Sequence, residues 1–375
     1  MVRLAEKYSD RINNSFSKIK SAFKHEPNAE MPKLIMDINY WVSTMAIGDI
    51  PENYFTDHSV MFDYQIKSIT RHMEQIDDDY IPALFPWYGT GIIPSAMGCE
   101  VSFVEKMDPA VESKVVFTPE DVKSLKMPDP YKDGLMPRVL ETIDYMVANA
   151  DIPVAITDNQ GPFNIALCLC GPEVLFLWMY EHPKAVHELM DFCTEALIEW
   201  IKVQKKHTEK GQDTGIFPHL IKLPEEFGGI YLCDDDCSVI SAAHYKEFVV
   251  PYKARVLKAF GGGTIHFCGS AMHQLQNFLQ TEGLTGINNF CMGDFKQVAK
   301  MQELFEDKIV LKVCDFTPLH IKKYYTELFS FLKSKGTIVG SYVAPELALD
   351  EGKYHIVSRD SGEMVKELKE VFNIT

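Results

Sequence analysis

The chain lacks any uninterrupted run of eighteen apolar residues, so a transmembrane helix is not expected. Its opening stretch, MVRLAEKYSDRINNSFSKIK, has no apolar signal core, which points to a cytoplasmic protein with no membrane partner. Positive charge is scarce: 37 Lys and Arg stand against 53 Asp and Glu, a formal net charge of -16. Nucleic-acid affinity rests on Lys and Arg meeting phosphates, so no nucleic-acid partner is expected. The acidic surface serves solubility, or a basic partner. There is no Walker sequence and no G-x-S-x-G elbow, which disfavours nucleotide binding and a serine hydrolase. Gly261-Gly262-Gly263 precedes a candidate strand instead of following one, so it is a turn and not a phosphate cradle. No internal repeat or low-complexity linker interrupts the chain.

What is present is an ordinary globular composition over 375 residues, with 46% hydrophobic, 24% charged and 11% aromatic residues. The nine cysteines are an odd number in a chain without a secretion signal, so reduced thiols that bind metal or take part in catalysis are expected before disulfides. Cys168, Cys170 and Cys193 lie in apolar, helix-like surroundings and read as core. Eight short β-prone runs recur: residues 33–39, 80–86, 152–158, 229–235, 263–269, 285–291, 308–314 and 336–342. Helix-periodic segments such as HQLQNFLQ and DFKQVAKMQELF separate the later ones. This alternation predicts a parallel α/β structure, a closed (β/α)8 TIM barrel forming a single domain over residues 31–375. Residues 1–30 form an N-terminal helical extension. The segment near 87–135 reads as an insertion that could build a lid or substrate wall. The long apolar stretch from Pro172 to Glu209 is expected to be two helices meeting near Pro183.

In a TIM barrel the chemistry sits at the C-terminal ends of the strands. Those ends carry Asn39, then Trp87 and Tyr88, then Asp158 and Gln160, then Asp234-Asp235-Asp236. His266 and Cys268 follow, then Asn289 and Cys291, then Cys314 and Asp315, and finally Tyr342 and Glu346. Cys268, Cys291 and Cys314 fall at intervals of 23 residues, one βα unit each, and so are expected around one rim. His266 and Cys268, two apart on a strand, should face the same way, with Gly269 turning the chain behind them. Zinc accepts imidazole nitrogen and thiolate sulfur, and an open site needs three protein ligands. His266, Cys268 and Cys291, with Cys314 as a rival ligand, are therefore a candidate zinc site; the alternative is buried thiols around one satisfied histidine. A carboxylate of the 234–236 run is either an acid/base group or a helix cap, and Asp158-Asn159-Gln160 reads as substrate contact.

With those residues in hand, the chain resembles the uroporphyrinogen decarboxylase superfamily of TIM-barrel proteins. The likeness is carried by GPFNIALCLCG at 161–171, YEHPKAVHELMDFCTE at 180–195 and DDDCSVISAAHYKEFVVPY at 234–252. It continues through GGGTIHFCGSAMHQL at 261–275 and KIVLKVCDFTP at 308–318. True decarboxylases of the superfamily carry an arginine-rich motif on the first strand; here KLIMDINYWV stands there, with no arginine between residues 12 and 70. The chain is more similar to the zinc methyltransferases, which use H-x-C on one strand. Cobalamin-independent methionine synthase, a more distant relative, has a glutamate ligand where Cys291 falls. The family's last cysteine is replaced by SYVAPEL, where Glu346 could stand in.

The resemblance therefore implies His266, Cys268, Cys291 and Glu346 as metal ligands. It implies methyl transfer between a small methylated substrate, or a thiol, and a corrinoid protein supplying a methylcobamide. Asp234, Asp235 and Asp158 would hold or protonate the substrate. Asn39, Trp87, Tyr88, Gln160, Asn289 and Tyr342 would line its pocket. The alternatives are a metal-free decarboxylase or lyase, and a non-catalytic corrinoid- or tetrapyrrole-binding scaffold.

Overall fold

The apolar runs assemble side by side in chain order, as parallel strands joined by helices must. In the computed structural model, which describes residues 1–37, 50–104, 107–208 and 223–374, six of them form a continuous parallel sheet. The first strand, Lys33–Met36, pairs with the last, Thr337–Tyr342, and the order then runs back through Val310–Phe316, Leu284–Phe290 and Gly263–Cys268 to Tyr231–Cys233. The two remaining runs close the circuit through single contacts. Leu84 bridges Val154, Gln160 bridges Cys233, and the Asp79 N–H donates to the Lys33 carbonyl at 3.0 Å. Pro82, Pro86 and Pro153 remove backbone donors from these two runs, which is why they make bridges and not ladders.

Paired residues on neighbouring strands share a face. Cys233, His266, Asn288 and Lys312 stand in one register row. Cys268, Phe290, Cys314 and Gly340 form the row above. Both rows line the barrel interior.

The N-terminal extension docks on the barrel: Val2 bridges Ala150, and the helix Ser9–Phe23 buries Ile19, Ala22 and Phe23. The long apolar stretch forms the helices Pro172–Glu181 and Pro183–His207, with Pro183 in the first turn of the second, where its missing N–H costs nothing. The insertion holds two short helices and the antiparallel pair Val101–Ser102 with Ala110–Val111. An element the sequence reading omitted follows the last barrel strand. It is a hairpin of Leu347–Asp350 with Lys353–Ile356, which precedes the closing helix Ser361–Phe372. Among the described residues no single helix is long and apolar enough to cross a membrane.

A buried charge cluster joins the first strand to the helix His58–Gln75. His72 Nδ1 meets Asp37 at 2.5 Å and Nε2 meets Asp78 at 3.0 Å, while Asp78 also accepts from Arg11 at 2.9 Å and from the Ile35 N–H. Burial alone would lower the imidazole pKa, but the Asp78 and Asp37 carboxylates outweigh it and raise it to about 9. A folded-state pKa above the unfolded value of about 6.5 stabilises fully below that value and is lost as pH rises through 9. Denaturant unfolding should therefore show the protein losing stability between pH 6.5 and 9. His72→Gln should remove that slope and cost roughly 2–3 kcal/mol at pH 6.

Candidate metal centre

The strand Gly263–Cys268 ends at the barrel mouth because Gly269, with φ +75°, turns the chain there. Alternation sends Phe267 outward, where it stacks on Phe278 with ring centroids 5.4 Å apart, and sends His266 and Cys268 inward. The Cys268 thiol donates to His266 Nε2 at 3.3 Å. The third member is Asp235, the first residue of the 3-10 turn Asp235–Ser238 that follows the neighbouring strand. Its Oδ1 accepts the Cys268 N–H at 2.8 Å and lies 3.6 Å from His266 Nε2. The ligand atoms of Asp235, His266 and Cys268 all lie within 4.8 Å of one another. Tetrahedral zinc at ordinary bond lengths separates a nitrogen from a sulfur or oxygen donor by roughly 3.5 Å. The separations of 3.3 and 3.6 Å fall on either side of that value, and three donors leave a fourth position open.

Asn288 sets the imidazole. Its Nδ2 donates to the Lys312 carbonyl at 3.3 Å and to Cys314 Sγ at 3.1 Å, so its Oδ1 is left to accept from His266 Nδ1 at 2.6 Å. That leaves the Nε2 lone pair facing Cys268 and Asp235. Burial lowers the His266 pKa, against the pull of Asp235, so the ring is neutral, as a ligand must be. Burial pushes the Cys268 thiol well up, and the nearby Asp235 charge adds to this. A divalent cation would reverse both effects on the thiol.

The structure brings only part of the expected ligand set together. Cys291 falls one residue past the strand end and faces outward, where its thiol donates to Asp315 at 3.0 Å and contacts Tyr324 at 3.4 Å. It is not in the cluster, and burial holds its thiol well up. Cys314 does face the interior, in the row of Cys268, but Phe290 stands between them and its thiol is tied to Asn288. Glu346 lies in the turn before the hairpin, outside the cluster.

The acidic run divides by direction. Asp234 points away from the mouth into a buried contact with Lys253 at 2.7 Å and with Tyr245, so it anchors the helices Ala242–Phe248 and Val250–Ala259. Asp158 lies on the run beside the strand Tyr231–Cys233, accepting from Gln160 at 2.5 Å and from the Cys233 thiol at 3.5 Å. Burial raises its carboxyl to about 6.

Among the expected pocket residues, Tyr342 is interior and packs on Phe290 at 5.0 Å. The Trp87 indole donates to Asp108 of the insertion at 2.7 Å. Tyr88 is fully buried against Thr142 of the helix Met136–Asn149 and does not line the interior. Asn289 also faces outward, and its amide donates to the Phe267 and Gly269 carbonyls at 3.1 Å while accepting from Gln297. Asn39 lies outside the described residues.

Three polar residues of the row of His266 escaped the sequence reading: Cys233, Asn288, passed over for its neighbour, and Lys312. Burial pushes the Lys312 ammonium down to about 8. A lysine inside the apolar run KIVLKVC is a signal that could have been used.

A model of the uroporphyrinogen decarboxylase family matches residues 83–208. A methylated-thiol–coenzyme M methyltransferase from Methanosarcina mazei is 26% identical over 205 residues, covering 54% of this chain and 50% of that protein. A uroporphyrinogen decarboxylase from Syntrophotalea carbinolica is 30% identical over 166 residues, covering 42% of this chain and 43% of that protein. The matched regions thus span half or less of these curated relatives. A solved methyltransferase structure from Methanosarcina mazei shares the fold over 96% of this chain and 99% of its own, with a TM-score of 0.67 and 18% identity. The resemblance seen in the sequence segments, and the barrel expected from them, are borne out.

The bracing role of Asn288 is open to a direct test. Asn288→Ala should weaken zinc binding roughly 10- to 100-fold in a chelator-competition titration. Asn289→Ala should leave that affinity unchanged and lower unfolding stability by about 2 kcal/mol, because its buried partners lose their bonds.

Proposed function

We propose that the chain is a zinc-dependent methyltransferase that moves a methyl group between a small methylated molecule, or a thiol, and a corrinoid protein. The observation that carries this reading is the cluster of His266, Cys268 and Asp235 at the C-terminal mouth of the barrel, with Asn288 bracing the imidazole. The match to a methylated-thiol methyltransferase over half the chain supports it. This ligand set differs from the one implied by the resemblance: Asp235 takes the place given to Cys291 and Glu346.

Bound there, zinc would supply Lewis acidity toward the donor heteroatom or hold a thiol as its thiolate. The rest falls to the chain. His266 offers a neutral nitrogen oriented by Asn288, and Cys268 and Asp235 supply two potential negative charges against a divalent ion. Asp158 and Gln160 offer a carboxyl and an amide, two strand positions around the barrel from His266, for the polar part of the substrate. In the transfer the carbon–heteroatom bond breaks with its electron pair left on the heteroatom. The partner's corrinoid, when bound, would supply the cobalt(I) that accepts the methyl group, and in the reverse direction would give it to a thiolate.

A second reading, a metal-free decarboxylase, rests on the Asp158 carboxyl raised to about 6 as an acid/base group and on the decarboxylase relative. Metal analysis separates the two. Purified protein should carry about one zinc per chain. His266→Ala and Cys268→Ser should lose it, Asp235→Asn should bind it more weakly, and Cys291→Ser should keep it. Full retention in the first two variants would sink the site. Methyl transfer to reduced corrinoid protein, followed by the cobalt absorption, then reports the reaction.

A further inference from the structure

The hairpin after the last barrel strand carries a tyrosine whose ring packs onto the phenylalanines that reach the metal cluster. In the strand Lys353–Ile356, Lys353, His355 and Ile356 are exposed and Tyr354 alone turns inward. Its ring stands edge-on to Phe316 at 5.1 Å, and Phe316 packs on Phe290 at 5.5 Å, which packs on His266 at 5.2 Å. A run of touching rings thus links Tyr354 to the imidazole. The hairpin is held firmly. Arg359 donates to the carbonyls of Pro318, Thr317 and Leu347 at 2.8 Å, and Leu319 N–H donates to Leu349 at 2.9 Å. The Tyr354 hydroxyl is buried and has no hydrogen-bond partner among the described residues. Asp315, Cys268, Cys314 and Cys291 all lie within its electrostatic reach.

For packing alone, phenylalanine would serve; a buried hydroxyl without a partner is a cost that a ligand atom can remove. On the reading proposed above, we propose that the Tyr354 hydroxyl is a substrate-binding donor that hydrogen-bonds the heteroatom whose methyl group is exchanged in the barrel mouth.

When the carbon–heteroatom bond breaks, its electron pair stays on the heteroatom, which becomes a stronger acceptor. The hydrogen bond therefore strengthens along the transfer, and the proton remains on the phenol oxygen. Burial raises the phenol pKa, in keeping with a neutral donor and not a phenolate. A methylated sulfur or oxygen has a lone pair to accept this bond before transfer, whereas a quaternary ammonium has none. Substrates of the first kind are the class the hydroxyl fits.

Tyr354→Phe tests this with methanethiol as the probe, titrated calorimetrically into zinc-loaded wild-type and variant chains. The variant should bind methanethiol about tenfold more weakly. It should keep its zinc content, and its metal-free form should melt no lower than the metal-free wild type. Equal affinity in the two chains, or no binding by the wild type, overturns the proposal. A lower melting temperature overturns it as well, because the hydroxyl would then have a partner within the fold. Absence of zinc from the wild type would instead overturn the metal reading beneath it, and the melting comparison then judges the hydroxyl by itself.

Discussion

The site depends on one irregularity in the sheet, at the start of the strand that carries His266. Gly263 pairs with Leu284, but Thr264 pairs with Gly286, so Thr285 is an extra residue on the second strand. Thr285 pins the bulge by donating its hydroxyl to the Phe227 carbonyl at 2.6 Å and to the Gly263 carbonyl at 3.1 Å. A Cβ on Gly286 would meet Thr264 Oγ1 at 2.6 Å, so this crossing needs a glycine. One extra residue reverses which side chains face the interior. Without it Ile287 would stand beside His266. With it Asn288 does, and the imidazole gains the acceptor that fixes its tautomer.

The same alternation gives adjacent acids and thiols different work. Asp234 turns outward to Lys253 and Tyr245, whereas Asp235, the next residue, reaches the Cys268 N–H and the imidazole. On the far side Asp315 turns outward to Cys291 and Tyr324 and accepts the Met292 N–H, while its neighbour Cys314 turns inward to Asn288. Both outward carboxylates are buried, so removing a partner from either would leave a buried acceptor unsatisfied and loosen a strand-to-helix turn. Rigid turns of this kind hold Asp235 and the turn after Phe290 in place, and the cluster of His266, Cys268 and Asp235 inherits that order.

Much of this was legible from the chain. The alternation of apolar runs and helical segments carries the barrel, and the spacing of His266 and Cys268 carries the core of the site. The even spacing of three cysteines misled because the register between strands, and not the interval along the chain, decides which residues share a face. Cys268 registers with Phe290, not Cys291, and Phe290 registers with Cys314. Asn289 was preferred to Asn288 for the same reason, since a bulge leaves no mark in a local pattern except the glycine that permits it. Asp235 was recognised as a functional acid but not as a partner of His266 and Cys268, because only the turn after the strand Tyr231–Cys233 brings it back over Cys268. Tyr354 lies beyond the barrel strands, where a strand-end survey does not look.

The donor set also bears on the kind of metal site this can be. A structural zinc site drives folding because its thiolates and imidazoles have no other partners. Here each donor is satisfied by the protein alone. The neutral imidazole is bonded to Asn288, the protonated Cys268 thiol donates to Nε2, and the half-exposed Asp235 accepts a backbone N–H. The fold therefore does not need an ion to offset buried charge. Loading one would exchange the thiol proton for the ion and bring two anionic donors onto it, without rebuilding the barrel mouth. An ion held on those terms keeps a free coordination position and leaves with the fold intact, which is what a catalytic centre requires and a structural one avoids.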